Sequence, residues 1–479
     1  MAGPYPVPNA TVPYWRTELH ELDSHRSTPE LPWEQDIVII GAGFAGAALA
    51  YYLLKGQPSS EKPSITILEA REACSGATGR NGKSLLHLAS SRGHLRPDLF
   101  VAVAARMQAR GLETANQVAL FEAANAKALT ALIHEENIAC DLRSVTTADT
   151  FVDAAEAAQV KKLWDVMSKL DCPTLKDVTY HGPESAEQAT GVKDAKVAFT
   201  YPAHTLWPYK LVMHLLAGVV EKGVNLQTHT QVYEVSQTAD GEGYWTLATP
   251  RGTTRAKKVL FATNAYTSGL LPEYDEAIYA GRGTACRIVP AASPPPAERP
   301  LGSCALEMRS PDSLDSYYGL RPDGSLIVGG ARSAFIYQKR DEWYRNHDDS
   351  TLIEAAVPHF DGWAARTLAG WEGTPTEVDR IWTGIMGYSA DDAPHVGPMP
   401  SRPGLYVCAG FNGHGMPNVL LCAEGLARMI KDGWAFAATG VPACYETGAD
   451  RLRRIAAVAA ARAASRARAD VFLKHSYGA

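Results

Sequence analysis

The sequence predicts an α/β fold in which a discontinuous domain with a parallel sheet is interrupted by an inserted α+β domain built on an antiparallel sheet. Three observations predict it. A buried strand, a glycine-rich turn and an apolar helix follow one another at residues 36–54. Short β segments separated by turn residues fill much of the middle of the chain. A second buried strand, which leads into a helix, begins at Leu405 near the other end.

Composition limits the classes of protein to consider. The chain has 479 residues, of which 46% are hydrophobic and 20% charged, as in soluble proteins with more than one domain. The net charge of −6 is spread along the chain, so no basic groove for nucleic acid is expected. No stretch approaches the roughly 18 apolar residues of a membrane span, and the N-terminus lacks the apolar core of a signal peptide. We therefore expect no nucleic-acid partner and no membrane segment.

The cysteines indicate a reducing compartment. All 8 are scattered without a C-x-x-C pair, so neither a zinc site nor a disulfide framework is expected, and we expect no metal. Cys304, Cys408 and Cys422 are interpreted as small buried side chains. The last residues are not a peroxisomal Ser-Lys-Leu tail. A cytoplasmic location is the expectation, with the peroxisome not excluded and the oligomeric state open.

The order of these segments predicts the domain organisation. Six prolines indicate an N-terminal arm without a long helix, which Trp15 and Leu22 could pin to the body. Long helices are predicted over roughly residues 97–136 and 341–360, and the Ala- and Arg-rich end of the chain is also predicted to be helical. The predicted divisions are the arm at 1–35, a cofactor-binding domain at 36–96, 197–275 and 376–435, a substrate domain at 97–196 and 276–375, and a helical tail at 436–479.

The glycine-rich turn predicts a dinucleotide site. It reads G-x-G-x-x-G between a strand and a helix, where the first glycine permits a tight turn, the second lets a pyrophosphate approach and the third lets helix and strand pack closely. The helix N-terminus adds N–H groups and a positive dipole. Glu69 closes the next strand, where a carboxylate can accept bonds from ribose hydroxyls and repel a 2′-phosphate. The residues predicted to bind here are Gly41, Gly43, Phe44, Ala45, Gly46 and Glu69.

The segment after Glu69 favours FAD over NAD. Residues 70–82 bring together small side chains, hydroxyls and cations, and such a loop can wrap a pyrophosphate and direct backbone N–H groups at a flavin. A flexible surface loop is the alternative reading of the same composition. The residues predicted to bind the cofactor from this loop are Ala70, Arg71, Ser75, Thr78, Gly79, Arg80, Asn81 and Gly82.

The chain resembles the D-amino-acid oxidase-like family of FAD-dependent oxidoreductases, whose relatives include glycine oxidase, sarcosine oxidase and gamma-glutamylputrescine oxidase. The run DIVIIGAGFAGAALAYYL, followed by ITILEAREACSGATGRNG, matches the family's FAD fingerprint. Further matches are LWPYKLVMHLLAGVVEKGVNLQTHTQVYEV, KKVLFATNAYT, PDGSLIVGG and the segment at 382–420, so that the resemblance covers about residues 36–435 in the family's order.

The resemblance implies a Rossmann-like FAD-binding domain and further cofactor contacts. Val232 would lie against the adenine, and Thr263 would end the strand that returns beneath the flavin. The turn before the last helix would face the flavin pyrimidine ring and contribute Gly410, Gly413, His414, Gly415 and Met416. Its N–H groups should point outward unsatisfied if Pro417 opens the helix. The sarcosine branch links FAD to a cysteine; no cysteine here aligns with it, so we expect non-covalent FAD.

The resemblance also implies an activity. A hydride would pass from a carbon bearing an amine, in an amine or amino acid, to flavin N5, and the resulting imine would hydrolyse. Molecular oxygen would then reoxidise the flavin and give hydrogen peroxide. No strong protein base is required if the amine binds neutral. Two alternatives remain open: a flavin hydroxylase that uses NAD(P)H, and a binding protein without catalytic activity.

The substrate is not identified by the sequence. Tyr317 and Tyr388 are candidates for lining the substrate pocket. The arginine that would hold a substrate carboxylate is not assignable, and the candidates are Arg282, Arg287, Arg321 and Arg332. Of these, Arg282 is taken as the leading candidate together with the two tyrosines.

Overall fold

The computed structural model describes residues 4–58, 62–81, 95–291, 303–306, 316–335 and 338–461, so that the predicted contact Gly82 lies outside the described residues. The strands are β1 (Glu34–Ile40), β2 (Ile65–Leu68), β3 (Arg143–Phe151), β4 (Thr179–His181), β5 (Val197–Thr205), β6 (Asn225–Gln227), β7 (Glu234–Val235), β8 (Trp245–Thr249), β9 (Gly252–Phe261), β10 (Ile278–Pro290), β11 (Ser303–Leu306), β12 (Ser316–Leu320), β13 (Leu326–Gly330), β14 (Thr376–Ser389), β15 (His395–Pro398) and β16 (Leu405–Ala409).

The helices are α1 (Phe44–Leu54), α2 (Val101–Arg110), α3 (Leu112–Glu135), α4 (Ala154–Met167), α5 (Ala186–Thr190), α6 (Pro208–Glu221), α7 (Thr267–Leu270), α8 (Arg340–Trp343), α9 (Trp363–Thr367) and α10 (Val419–Asp432). A further helix begins at residue 449 and is described to residue 461. This last helix lies in the segment that the sequence predicts to be a helical tail.

The first sheet has the strand order β15-β16-β9-β1-β2-β6, with β8 and β7 added beside β9. Strands β16, β9, β1, β2 and β6 are parallel, and Val38 of β1 pairs with both Thr66 of β2 and Val259 of β9. Four consecutive residues of β1, Ile37 to Ile40, are buried because helices cover both faces of a parallel sheet. Helix α1 packs against α6 and α10. The Rossmann-like domain is therefore built from both ends of the chain, as predicted.

The second sheet has the order β14-β10-β13-β12-β11-β3-β5-β4 and is antiparallel except between β11 and β3. Its longest pairing joins β10 to β14, from Ile278 opposite Ser389 to Pro290 opposite Thr376. Strands β3 and β5 also pair along their whole lengths. This sheet and its helices form the predicted inserted α+β domain.

The sheets do not divide the chain where the sequence places the boundaries. Strands β5 and β14 lie in the ranges predicted for the cofactor-binding domain, 197–275 and 376–435, but they pair in the second sheet. The reason is that each follows directly into the first domain, at residues 206 and 390, without a composition break at its own start. A pattern of alternating burial identifies a strand and not the sheet that it joins.

Two predicted helices are interrupted. The helix expected over 97–136 is divided into α2 and α3 at Gly111, whose φ of 84° is outside the helical region. The helix expected over 341–360 is replaced by α8 and a 3-10 turn at Glu354–His359. Between them, the Asp348 carboxylate accepts bonds from the N–H and hydroxyl of Ser350, a local bond that competes with helix formation.

The N-terminal arm is an integral part of the body. Trp15 is fully buried, and its carbonyl accepts a bond from Trp207 Nε1 at 2.7 Å. Further along, Arg26 forms a β-bridge with Gln227, beside the edge strand β6 of the first sheet. The arm therefore lacks long helices, as predicted, and is held by buried aromatic packing and by sheet hydrogen bonds.

Candidate active site and cofactor cavity

A large cavity lies between the two sheets. Its free volume, which includes open solvent at the mouth, is about 1560 Å³. It runs from the β1–α1 turn and the loop after β2 to strands β10 and β14. The predicted cofactor residues that line it are Gly41, Gly43, Phe44, Ala45, Glu69, Ala70, Arg71, Thr78, Arg80, Asn81, Val232, Thr263, Gly413, Gly415 and Met416.

The three glycines of the first turn differ in what surrounds them. A Cβ on Gly46 would lie 1.9 Å from the Gly41 carbonyl oxygen, so only glycine allows this packing of helix on strand. A Cβ on Gly43 would meet nothing closer than Thr78 Oγ1 at 3.8 Å, because this position opens into the cavity. Within the described residues, the N–H groups of Gly43 and Ala45 donate no hydrogen bond. This turn is therefore an open cradle suited to a pyrophosphate.

Glu69 lines the cavity and also holds its backbone in place. One carboxylate oxygen accepts the Ala42 N–H at 2.8 Å, and the other accepts the Arg71 N–H at 3.0 Å. Each oxygen keeps a second lone pair for a further donor. The predicted contact with the ribose stays a prediction, and the structure adds a second role: Glu69 joins the glycine turn to the loop that follows β2.

We expect Glu69→Ala to weaken FAD binding by roughly 1.5–3 kcal/mol, or about 10- to 150-fold in Kd, because the charged acceptor is lost and two N–H groups are left unpaired. The apoprotein should keep most of its stability. Titration of apoprotein with FAD measures the effect. The matched control is Glu72→Ala on the same loop, whose carboxylate is 34% exposed and forms one long contact, 3.5 Å, with Arg16. Equal affinities of the two variants for FAD would contradict the assignment of Glu69.

The two cations of the loop do not point at a ligand as unpaired charges. Arg71 forms two bonds with the Asp349 carboxylate, at 2.9 and 3.1 Å, and Arg80 Nε lies 3.2 Å from the same carboxylate. All three side chains are at most 10% exposed. Burial lowers the pKa of Arg80 to about 10, although Asp349 opposes this shift, so Arg80 is still a cation at neutral pH. Both arginines line the cavity, and their predicted contact with FAD stays a prediction; the single Asp349 carboxylate that they share leaves this group with a net positive charge.

Other predicted contacts of the loop act through the backbone. The Ser75 carbonyl accepts a bond from Arg80 Nε at 2.7 Å, and Ser75 does not line the cavity. A Cβ on Gly79 would lie 1.9 Å from the Cys74 carbonyl oxygen, so this glycine is required for a close turn. Gly46 and Gly410 are likewise absent from the lining. These four residues shape the site without facing the cavity.

The turn before α10 supplies the opposite end of the cavity. Helix α10 begins at Val419, two residues later than the prediction from Pro417, because the N–H groups of Asn418 and Val419 bond to the Gly415 carbonyl. Within the described residues, the N–H groups of Gly413, Gly415 and Met416 donate no hydrogen bond. The predicted set of outward N–H groups is therefore present and is available to a flavin carbonyl or ring nitrogen.

The His414 side chain lies outside the lining of the cavity. Its Nε2 lies 2.9 Å from the Glu122 carboxylate on α3, which is fully buried. Burial opposes the charged form of Glu122, but Arg106 and His414 outweigh it and hold the pKa of this carboxyl low, at about 2. Asn125 on the same helix donates a bond to the Met416 carbonyl at 3.1 Å. His414, predicted as a cofactor contact, does not line the described cavity; its N–H bonds to the Phe411 carbonyl and its side chain anchors the turn to α3.

Two residues at the end of β9 were not predicted from the sequence. Tyr266 lines the cavity, and its buried hydroxyl has no hydrogen-bond partner within the described part of the chain. Burial raises the pKa of this phenol, so it is a hydrogen-bond donor at neutral pH. Asn264 also lines the cavity, and its side-chain oxygen accepts the N–H groups of Gly410 and Phe411. The signal for both residues was present in the segment TNAYT, which begins two residues after Phe261.

The three predicted substrate-pocket residues do not line the described cavity. Arg282 is buried, and its guanidinium bonds to the carbonyl and hydroxyl of Thr351. Tyr388 is buried in a stacked pair with Tyr279, with ring centroids 5.7 Å apart. Tyr317 is buried in β12. These assignments are corrected: none of the three is a lining residue, and β10 and β14 contribute Gly283, Thr284, Ala285, Trp382, Gly384, Ile385 and Met386 instead.

Two other candidate arginines also have structural partners. Arg287 pairs with Asp323 and Asp379 at 2.7 and 3.0 Å. Arg321 pairs with Asp141 at 2.7 Å, and its guanidinium lies 5.2 Å from the ring centroid of Trp15. Neither Arg287, Arg321 nor the fourth candidate, Arg332, lines the described cavity.

One cysteine reaches the cavity. Cys408, at the end of β16, lines it and is buried, and burial raises the pKa of its thiol to about 12. Cys422 is buried too, whereas the side chain of Cys304 lies outside the described part. A protonated thiol is a poor nucleophile, so the environment of Cys408 disfavours attack on a flavin and is consistent with non-covalent binding.

In the part of the chain that the structure describes, no helix is both long and apolar enough to cross a membrane. No group of three or more His, Cys, Asp or Glu side chains in that part could hold a metal ion.

The fold and the cavity define a flavin-binding oxidoreductase. The open glycine cradle, the carboxylate after β2, the orphaned Tyr266 hydroxyl and the outward N–H groups before α10 fit the pyrophosphate, ribose and ring of FAD in one continuous site. The chain belongs to the DAO family of FAD-dependent oxidoreductases, whose sequence model matches residues 36–429.

Individual proteins that are similar to this chain in sequence or structure are consistent with its membership of the family. The chain is 25% identical to glycine oxidase from Pseudomonas aeruginosa over 221 residues, which are 45% of this chain and 52% of that protein. The chain thus spans about half the length of this curated relative. Glycine oxidase from Geobacillus kaustophilus has a similar structure, with a TM-score of 0.61 at 18% identity, over 84% of this chain and 95% of that one. L-proline dehydrogenase from P. horikoshii also has a similar structure, with a TM-score of 0.60 at 18% identity, over 85% of this chain and 95% of that one.

Proposed function

We propose that this enzyme oxidises the C–N bond of an amine or amino acid, with molecular oxygen as the acceptor that reoxidises the flavin and yields hydrogen peroxide. FAD, when bound, supplies the hydride acceptor. The observation that carries the proposal is the lack of a carboxylate or imidazole base at the substrate end: among the described lining residues, Glu69, after β2, is the one carboxylate and no histidine is present. Amine oxidation by hydride transfer requires no protein base when the amine binds neutral.

The substrate end of the cavity supports a neutral amine. It is formed by strands β10 and β14, and an apolar surrounding disfavours the ammonium form by desolvation. Trp382 is fixed here by a bond from its Nε1 to the Arg80 carbonyl at 3.0 Å. The residues that these two strands contribute to the lining are Gly283, Thr284, Ala285, Trp382, Gly384, Ile385 and Met386.

The charges in the lining favour amines without a carboxylate. Arg71 and Arg80 are the cations among the described lining residues, and both belong to the loop after β2, where they share the Asp349 carboxylate. Strands β10 and β14 contribute no cation to the described lining, so a substrate carboxylate placed against them would lose its hydration without gaining a counterion there, which costs free energy. We therefore rank simple amines above the amino acids that carry the same side chain.

The test is anaerobic reduction of the flavin by matched substrate pairs. Tyramine and tyrosine, or butylamine and norvaline, differ mainly in the α-carboxylate. We expect at least one amine to bleach the flavin absorbance, and to do so faster than its carboxylated counterpart. Faster reduction by the amino acids would reverse the ranking while leaving C–N oxidation intact. Reduction by NADPH and by no amine would instead support a hydroxylase.

The electron acceptor is tested separately. After anaerobic reduction, admission of air is expected to restore the flavin absorbance, with one peroxide formed per flavin. A reduced flavin that persists in air, but is reoxidised by an artificial acceptor such as dichlorophenolindophenol, would show a dehydrogenase and contradict the proposed role of oxygen.

A further inference from the structure

The N-terminal segment 4–12, here called the strap, crosses one end of the cavity. Tyr5 and Pro6 are among the lining residues, although they precede the first strand of the cofactor-binding sheet by about thirty residues. The Tyr5 hydroxyl bonds to the Gly269 carbonyl at 2.7 Å and lies 3.1 Å from that of Tyr233. The strap is therefore part of the cavity wall and is attached to the first domain by its tip.

The strap packs closely against the rest of the protein along its length. A Cβ on Gly269 would lie 2.5 Å from the Pro4 carbonyl oxygen, so a glycine is needed where the strap passes. The Val7 carbonyl accepts a bond from Arg71 at 3.1 Å. At the other end, Thr11 donates its N–H to the Asp349 carbonyl at 2.8 Å, and its hydroxyl accepts a bond from Arg80. Contacts at both ends and in the middle hold the segment across the cavity.

The position of the strap identifies the half of the cofactor beneath it. Its tip is bonded next to Val232, and its middle is bonded to Arg71, two residues after Glu69. In a βαβ dinucleotide site, the acid after the second strand marks the ribose of the adenosine half. The turn before α10 and strands β10 and β14 surround the other end of the cavity. Tyr5 and Pro6 thus lie over the adenosine half, whereas the other end of the strap reaches β14, where Thr11 bonds to Thr383.

We propose that Tyr5 and Pro6 contact the adenosine half of FAD, and that the strap must detach before the cofactor can leave. The proposal concerns retention of the cofactor and is independent of the substrate. Because the strap lies over the cavity wall, release of FAD requires breaking its contacts with Gly269, Arg71 and Asp349.

The experiment compares the holoenzyme with a variant lacking residues 2–10 and with Tyr5→Ala. After dilution, the recovery of flavin fluorescence reports release of FAD, and we expect about tenfold faster release or more, because the Tyr5 bonds and ring contacts are lost. The control is Leu19→Ala, an arm residue that is 61% exposed and absent from the cavity lining. Release at the wild-type rate in the two strap variants would overturn the proposal. If the deletion does not fold, Tyr5→Ala decides.

Binding of ADP and of FMN, which each carry one half of FAD, then tests which half lies beneath Tyr5 and Pro6. ADP carries the half that we place beneath them, and FMN carries the other half. In apoprotein with Tyr5→Ala, Kd for ADP is expected to rise by a factor similar to that for FAD, whereas Kd for FMN stays unchanged. A rise for FMN with no change for ADP would place the strap over the flavin and overturn the assignment.

Discussion

Asp349→Asn is expected to lower the free energy of unfolding by roughly 3–5 kcal/mol, the typical cost of removing one partner from a buried ion pair. The loss should be large because Asp349 is fully buried and faces Arg71 and Arg80 together, so the change leaves two buried guanidinium groups without their counterion. FAD occupancy should fall as well, since both arginines belong to the cofactor loop. Urea denaturation of the apoprotein and the flavin-to-protein absorbance ratio measure the two effects.

The matched control is Asp275→Asn. Its carboxylate pairs with Arg345 at 3.1 Å but is 59% exposed, and such surface pairs contribute about 0–1 kcal/mol. A similar stability loss in the two variants would show that burial does not decide the effect. Unchanged flavin occupancy in a destabilised Asp349→Asn protein would show that Asp349 stabilises the fold without supporting FAD binding.

Gly43→Val should abolish flavin binding, with Kd raised by about two orders of magnitude or more, because the side chain enters the space of the pyrophosphate. The apoprotein should fold. The Gly43 φ of −83° is open to any residue, and the nearest atom to a new Cβ is 3.8 Å away. Purified protein is therefore expected to be colourless, with a circular dichroism spectrum and unfolding midpoint close to those of wild-type apoprotein.

Gly46→Ala is the matched comparison, three residues further along the same turn. Its Cβ would lie 1.9 Å from the Gly41 carbonyl oxygen, so the helix must move away from the strand and the apoprotein itself should be destabilised. The two variants thus separate cofactor exclusion from misfolding. Wild-type flavin content in Gly43→Val would contradict the placement of the pyrophosphate.

The sequence predicted the parts of the fold that depend on local pattern. The βαβ unit, the glycine turn and the strand before α10 each have a continuous signature, and each is found at its predicted place. Membership of β5 and β14 in the second sheet could not be predicted in this way, because it depends on pairing with strands far along the chain. Local patterns specify an element, whereas tertiary contacts choose its neighbours.

The same distinction holds for the candidate site. Backbone roles, such as those of Gly43 and Gly415, were predicted because they follow from the turn sequence itself. Side-chain roles were not: Arg71 and Arg80 looked available until Asp349, 278 residues after Arg71, placed a carboxylate between them. His414 likewise appeared to face the flavin, and its actual partner comes from another helix, 292 residues earlier in the chain. The charge that a loop presents to a ligand therefore depends on side chains from distant parts of the chain.

The strap has a consequence for how the molecule assembles. Thr11 bonds to the Asp349 carbonyl and lies 3.2 Å from Thr383 Oγ1, across separations of 338 and 372 residues. Contacts so distant in sequence form late, since their loop-closure entropy is opposed only when most of the chain is already ordered. During synthesis the segment made early must wait until residue 383 has emerged before it can dock. The wall of the cofactor cavity is consequently completed in one of the last steps of folding, by a segment that is synthesised long before its partners.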